Sequence, residues 1–382
     1  MIALERLSRT WPEFQLQDVS LAVEQGSWLS ILGPTGAGKT LLLELIVGAH
    51  SPDSGRVLLR GIDVTRLPPE RRKVAMVYQD ALLFPHLTAG GNMEFGLRVR
   101  KVPQDERRAR VRAMGELLRV SHLLHRRPAT LSGGERQRIA LGRALVTEPD
   151  ILLMDEAFSA LDRGTSEFIQ KRVTELQKEK GMTVVHVTHD IDEARDLADV
   201  LAVLVGGRLQ GVGTPVQLLR RPPTLAAAQL LGSPNILRLV ELAEGEADPW
   251  ATARVTDLQL QQHLRGRCLD AGLRGGSFSH ALVVAEEVHL APLSRAEGVA
   301  VDPDVVVGKV RGIGDRGGYL RVKVAIPGIS GKLRVHVGVQ SLQEGWLQVG
   351  ASVGVDLRDA IHPLATAEST VGSVIPPPPL VT

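Results

Sequence analysis

Cysteine is all but missing: Cys268 is the single one in 382 residues, which excludes an intrachain disulfide and fits a reducing compartment. An excess of charge is missing too. With 45 basic and 43 acidic residues the formal charge is +2, so no global field attracts DNA or RNA, and no lysine or arginine run makes a nucleic-acid stripe. No stretch approaches the roughly 18 consecutive apolar residues of a membrane-spanning helix. The opening Met1-Ile2-Ala3-Leu4-Glu5 lacks the basic and apolar regions of a signal peptide. These absences predict a cytosolic chain that meets a membrane only through a partner. Glycine at 39 and proline at 22 are plentiful, implying many turns, and the length suits two domains or a domain plus a small barrel.

The stretch Gly33-Pro34-Thr35-Gly36-Ala37-Gly38-Lys39-Thr40 follows the apolar run from Trp28 to Leu32 and opens a second one from Leu41 to Val47. That order reads as strand, glycine loop, helix, which is a phosphate cradle. The glycines let successive backbone N–H groups turn inward, and the helix N-terminus adds partial positive charge. Lys39 can reach the β and γ phosphates, and the Thr40 hydroxyl can complete a Mg2+ shell. Upstream, Leu16, Val19, Leu21 and Val23 beat out a strand before the turn Glu24-Gln25-Gly26. An aromatic ahead of it, Trp11 or its rival Phe14, can stack on a nucleotide base.

Further strands deliver polar residues to their ends. Val57 to Leu59 reads as a short strand, and Val74 to Val77 as another that presents Tyr78 and Gln79. The Gln79 amide oxygen suits a metal or a water. After it comes the apolar loop Leu82 to Leu87, either a partner surface or simple packing against neighbouring helices. Residues 103 to 127 carry Val111, Met114, Leu117, Leu118 and Val120 at helical spacing, predicting one amphipathic helix with a solvated charged face. Ser132-Gly133-Gly134 at the next helix start predicts a second anion nest. The buried run Ile151 to Met154 then ends in Asp155, placed to hold Mg2+, with Glu156 beside it to act on an attacking water. A helix from about Thr165 to Glu179 leads to the strand Thr183 to Val187 and to His189, whose two ring nitrogens can bridge a γ-phosphate oxygen or lytic water to the acid. The strand Leu201 to Val205, a turn at Gly206-Gly207 and helical pieces at 216–220 and 225–231 close this part.

With Lys39, Gln79, Ser132 to Glu135, Asp155, Glu156 and His189 in this order, residues 1 to about 230 resemble the ATP-binding subunit of ATP-binding-cassette transporters. The resemblance implies an α/β P-loop NTPase cassette over 1–231 with a helical subdomain inserted at about 86–150, using ATP and Mg2+. It implies two copies sandwiching two ATP molecules, each between the Lys39 loop of one and the Ser132 to Gly134 cap of the other. Glu156 would polarise the water, His189 would be the switch residue, Gln79 would couple the site to a permease, and Asp162 would link the two sites. Two transmembrane permease subunits are the implied partners, with an extracytoplasmic substrate-binding protein engaged indirectly, no nucleic acid, and a peripheral place on the cytoplasmic side of the membrane. The chain departs from the family at Ala157, where a proline is usual, and at Gly90-Gly91.

From Gly232 the grammar changes to short strands and glycine turns, at Val305 to Val310, Leu320 to Ala325, Leu333 to Val339, Leu347 to Val349 and Ala351 to Leu357. This predicts a C-terminal all-β barrel or sandwich over 232–364, similar to the oligonucleotide-fold-like regulatory domain of importer ATPases. Few aromatics and no basic face set nucleic acid aside. Leu4 to Arg9, the glycine loop and Leu43 to Ile46 look most like the molybdate/tungstate branch. Sulfate, sugar, polyamine and iron importers are the alternatives, and a soluble ATP-driven clamp without a permease is the rival of another class. Residues 365–382, with Pro376 to Pro379, read as a disordered tail.

Overall fold

The computed structural model describes residues 1–233, 236–238, 253–255, 280–283, 288–292, 305–316, 319–327, 329–338, 347–357 and 360–364. Cys268 and the tail from 365 onward lie outside them. The described chain forms two units, divided after Pro215.

In the first unit two alternating stretches pair antiparallel, β1 (Ile2–Trp11) with β2 (Phe14–Val23), and the hairpin closes with Trp11 opposite Phe14. Leu4, Leu7, Leu16, Val19, Leu21 and Val23 turn inward. Next come β3 (Trp28–Leu32), α1 (Lys39–Val47), β4 (Ser54–Leu59), β5 (Ile62–Asp63), α2 (Pro69–Arg72) and β6 (Ala75–Val77). The strand expected from Val57 thus starts at Ser54. Three helices follow, α3 (Ala89–Val99), α4 (Gln104–Leu117) and α5 (Gly133–Leu145). Then β7 (Ile151–Asp155), α6 (Arg163–Lys180), β8 (Thr183–Thr188), α7 (Ile191–Leu197), β9 (Val200–Val205) and β10 (Arg208–Gly213) complete the unit.

The main sheet runs β10-β9-β3-β8-β7-β6, parallel except for β10. Every residue of β3, β7 and β8 is buried, as expected of parallel strands covered on both faces. Alternate residues feed opposite cores. Leu153, Val185 and Val187 pack with Leu42, Leu45 and Ile46 of α1, while Leu152, Met154 and Val184 pack with Ile139, Phe158 and Ile169. A smaller antiparallel sheet, β2-β1-β4-β5, closes over the first of these cores. All of α3, α4 and α5 lie between β6 and its parallel neighbour β7.

One helix over 103–127 is not what forms. Residue Arg119 takes a left-handed φ of 54°, and the Val120 amide turns back to the Gly115 carbonyl at 2.8 Å, which ends α4 in the manner of a C-terminal cap. The apolar residues beyond it, Val120 and Leu123, are buried in the same core from a separate single turn. The loop at 82–87 is tied at its centre, because the Asn92 side chain accepts from the Phe84 amide at 2.7 Å and donates to its carbonyl at 3.1 Å.

The second unit begins with α8 (Pro215–Arg220, its first residue belonging to the other unit) and α9 (Leu225–Leu230). The sequence pattern placed both helices in the first domain, ending at 231; Leu225 and Ala228 instead pack with Ile236. Among the described residues the remainder is all-β. Its strands are β11 (Ile236–Arg238), β12 (Ala253–Val255), β13 (His280–Val283), β14 (His289–Pro292), β15 (Val305–Asp315), β16 (Tyr319–Ala325), β17 (Ile329–Ser330), β18 (Leu333–Gly338), β19 (Ser352–Asp356) and β20 (Ile361–Leu364). They make two five-stranded sheets, β17-β12-β11-β13-β20 and β14-β19-β15-β16-β18. Alternation along β16 buries Leu320, Val322 and Val324 against Val335, Val353 and Val355. Residues 347–349 form no strand; Leu347 is buried there as a loop residue.

Candidate functional site

The glycine loop connects β3 to α1, as the alternation of apolar run and helix requires. Gly38 sits at φ 94°, and a Cβ there would stand 2.5 Å from the Phe14 ring, so both conformation and space demand glycine. Lys39 is buried, and its ammonium donates to the Gly33 and Pro34 carbonyls at 2.8 and 3.1 Å. Burial pulls the Lys39 pKa below its usual range, with the Glu156 and Asp155 charges partly offsetting it.

Two strand ends face this loop. At the end of β7, Asp155 Oδ2 accepts from the Thr40 hydroxyl at 2.7 Å. Burial pushes the Asp155 carboxyl up, and the Thr40 hydrogen bond opposes it. Its neighbour Glu156 takes a left-handed φ of 46° while its amide donates to Val187 of the adjacent strand; this places an uncommon backbone conformation at the site. At the end of β8, His189 Nδ1 lies 3.1 Å from Glu156 Oε1. The Glu156 side chain is 16% exposed and that of His189 60%, so the ring shields the carboxylate from one side and faces solvent on the other.

A cleft of about 430 Å³ is lined by Glu13, Phe14, the residues Thr35 to Leu41, Gln79 and Glu156. It thus gathers the glycine loop, Gln79 and Glu156, with Asp155 reached through Thr40 and His189 through Glu156. Trp11 is not among the lining residues. It packs beside Phe14 at 6.4 Å and edge-on to His50 at 6.0 Å, with Arg9 over its ring. Its rival Phe14 does line the cleft, as does the adjacent Glu13, whose place no local pattern announces because it depends on how the β1–β2 hairpin folds over the loop.

Ser132, Gly133 and Gly134 stand apart from this cleft, at the exposed start of α5. Ser132 Oγ accepts from the Glu135 amide at 3.3 Å, and the Ser132 amide donates to Glu135 Oε2 at 2.7 Å, a reciprocal capping box. Gly133 and Gly134 follow with their amides at the open end of the helix, where anions are favoured. Gly134 sits close to the Ala160 carbonyl, at the segment leading to Asp162, which caps α6 through the Thr165 amide.

Thr40, Asp155 and Gln79 offer hard oxygen donors, a set suited to Mg2+ and not to a soft metal. Among the described residues no group of three or more His, Cys, Asp or Glu could hold a metal ion by itself.

Residues 16–159 match the ABC transporter family. Over 366 residues, 95% of this chain, the sequence is 38% identical to the molybdate/tungstate import ATP-binding protein WtpC of Pyrococcus horikoshii and covers 99% of it. It is 43% identical to the spermidine/putrescine import ATP-binding protein PotA of Thermobifida fusca, across 62% of this chain and 63% of that one. Among solved structures, a dimeric bacterial ABC transporter cassette aligns with a TM-score of 0.54 at 33% identity, covering 56% of this chain and 99% of its own. A dimeric ATP-binding cassette in a post-hydrolysis state bound to ADP and Pi aligns with a TM-score of 0.53 at 32% identity.

Proposed function

From the premise that this chain belongs to the ATP-binding subunits of ABC transporters, we propose that it powers import of molybdate or tungstate. What supports the substrate is the similarity to the Pyrococcus horikoshii protein, which runs over 95% of the chain, whereas similarity to polyamine proteins spans up to 75%. The engine rests on one observation: Lys39, Thr40, Gln79 and Glu156 converge on a single cleft while the Ser132 to Gly134 cap stands outside it. A cap that lies outside this cleft is suited to the pocket of a second copy, and the dimeric cassettes among the structural relatives support that arrangement.

In this reading the loop amides from Gly33 to Thr40 and the Lys39 ammonium bind the ATP phosphates. Phe14, with Trp11 behind it, lies on the side of the base. Thr40 and Asp155 would hold Mg2+, with Gln79 beside them, and the ion would supply positive charge that offsets the charge of the triphosphate. Glu156 accepts a proton from the attacking water, and His189 fixes the Glu156 carboxylate and reaches towards the γ-phosphate. The cap of the second copy covers the triphosphate, so ATP favours the closed dimer and hydrolysis removes that preference. Gln79 and the apolar loop after it carry the change to two permease subunits, at the cytoplasmic face of the membrane. Among the described residues no helix is long and apolar enough to cross a membrane. A substrate-binding protein on the far side delivers the oxyanion, and residues 232–364 act as a regulatory domain.

Glu156→Gln should keep ATP bound and hold the protein as a dimer on size-exclusion chromatography, with turnover at least about 100-fold down. Hydrolysis at the parent rate would remove Glu156 from the mechanism. For the substrate, uptake through the reconstituted permease should be competed by molybdate and tungstate and not by sulfate, spermidine or maltose. Competition by spermidine alone would favour the polyamine reading.

A further inference from the structure

The turn that carries His189 is fastened by a residue outside the motifs. Thr188, buried at the end of β8, donates its hydroxyl to Glu193 Oε2 at 2.9 Å and accepts from the Asp190 amide at 3.0 Å. These two bonds pin the chain on either side of His189. The other carboxylate oxygen, Glu193 Oε1, accepts from Gln170 Nε2 at 3.1 Å, and Gln170 also donates to Ser166 Oγ at 3.0 Å. Both Gln170 and Ser166 belong to α6, the helix capped by Asp162. The carboxylate is 17% exposed, with the fully buried His186 ring 3.8 Å behind it. It shares a second cleft, of about 490 Å³, with Glu156, Ser159 and His189.

We infer that Glu193 is a positioning residue for His189, holding through the Thr188 hydroxyl the turn from which the imidazole reaches Glu156. The inference rests on the assignment of Glu156 and His189 given above and extends it to the residue that sets their geometry. A carboxylate is suited to this place because it presents two acceptors to donors arriving from two elements, β8 and α6. Shortening it takes from the buried Thr188 hydroxyl its acceptor and from the Gln170 amide one of its two. The His189 ring, mostly in solvent, has little else to define its position, and catalytic contacts tolerate displacement poorly. The Lys39 loop takes no part in this network, so ATP binding is not expected to change with it.

The test is steady-state ATP hydrolysis by the full-length protein. Glu193→Ala should lower kcat about 10-fold or more, with KM for ATP within about 2-fold of the parent. Thr188→Val, which keeps shape and removes only the bridging hydroxyl, should reproduce that loss. Glu193→Gln retains an acceptor for Thr188 and should recover kcat to within about 3-fold of the parent. Because Glu193 acts through His189, adding Glu193→Ala to His189→Ala should slow turnover no further. Parent-like kcat in Glu193→Ala or Thr188→Val overturns the inference, as does a loss that multiplies with that of His189→Ala. Parent-like turnover in His189→Ala would instead remove His189 from the mechanism and take the inference with it.

Discussion

Arg72 shows how a charged residue can serve as packing at this site. It is 1% exposed, and its guanidinium donates to the Leu45 and Ile46 carbonyls at 2.8 and 2.9 Å, to Leu67 at 2.8 Å and to Thr65 at 3.0 Å. Two of those carbonyls end α1, the helix that begins at the glycine loop, so the cation satisfies orphan acceptors and complements the negative end of the helix. Arg72→Met should leave two buried and two part-buried acceptors without this donor and lower unfolding free energy by about 3 kcal/mol in urea titration. His186 makes the opposite case. Burial between Trp28 and Phe158 lowers its pKa from 6.5 to about 3, so the folded chain keeps it neutral where the unfolded chain protonates it. Its contribution to stability is therefore complete above pH 6.5 and is lost as pH falls towards 3. His186→Phe should flatten the decline in stability between about pH 6 and 4, by up to about 1.4 kcal/mol per pH unit; an unchanged slope would place the dependence on other groups.

At the scale of elements, α5 does more than carry the Ser132 cap at its start. Near its other end Arg143 donates to the Leu82 carbonyl at 2.8 Å and the Ala81 carbonyl at 3.2 Å, with its guanidinium over the Phe84 ring. Ala81 and Leu82 take left-handed φ values of 60° and 40°, a conformation that needs outside support. Arg143 supplies it from α5 and Asn92 from α3, so the loop beyond Gln79 is fastened to the inserted helices by these side-chain hydrogen bonds. Arg143→Met should speed hydrogen exchange at Leu82 and Phe84 by 10-fold or more, since local opening then breaks fewer contacts. Protection equal to the parent would mean the arginine holds nothing. The end of α4 teaches a related lesson. The apolar spacing at Val111, Met114, Leu117, Leu118 and Val120 is helical, yet the helix stops at Leu117 because Arg119 adopts a left-handed turn that carries Val120 and Leu123 into the same core. Periodicity reports which residues are buried, and not that one element buries them all.

At the scale of the whole molecule, the two units have separate hydrophobic cores, one pair flanking the parallel sheet and one within the all-β region. Scanning calorimetry should accordingly resolve two transitions. Mg-ATP at about 100 times its dissociation constant should raise the one belonging to the nucleotide unit by about 2.7 kcal/mol and leave the other in place. A single transition that moves as one would show that the units melt together. Much of the nucleotide unit was legible beforehand, because phosphate binding imposes residue types at fixed spacing along the chain: glycines where amides must turn inward, then Lys39 and Thr40, and a carboxylate after a buried run. The composition of β7 and β8 likewise determined that they are covered on both faces. What only the tertiary structure decided are the contacts between residues far apart in sequence. Phe14 and not Trp11 lines the cleft because a hairpin folds over the loop. Arg72 ends α1 from 26 residues away, and Glu193 fastens the turn of His189 in concert with α6. Hydrogen bonds and steric fit of this kind act over a few ångströms of space, and distance along the chain carries no record of them until the chain has folded.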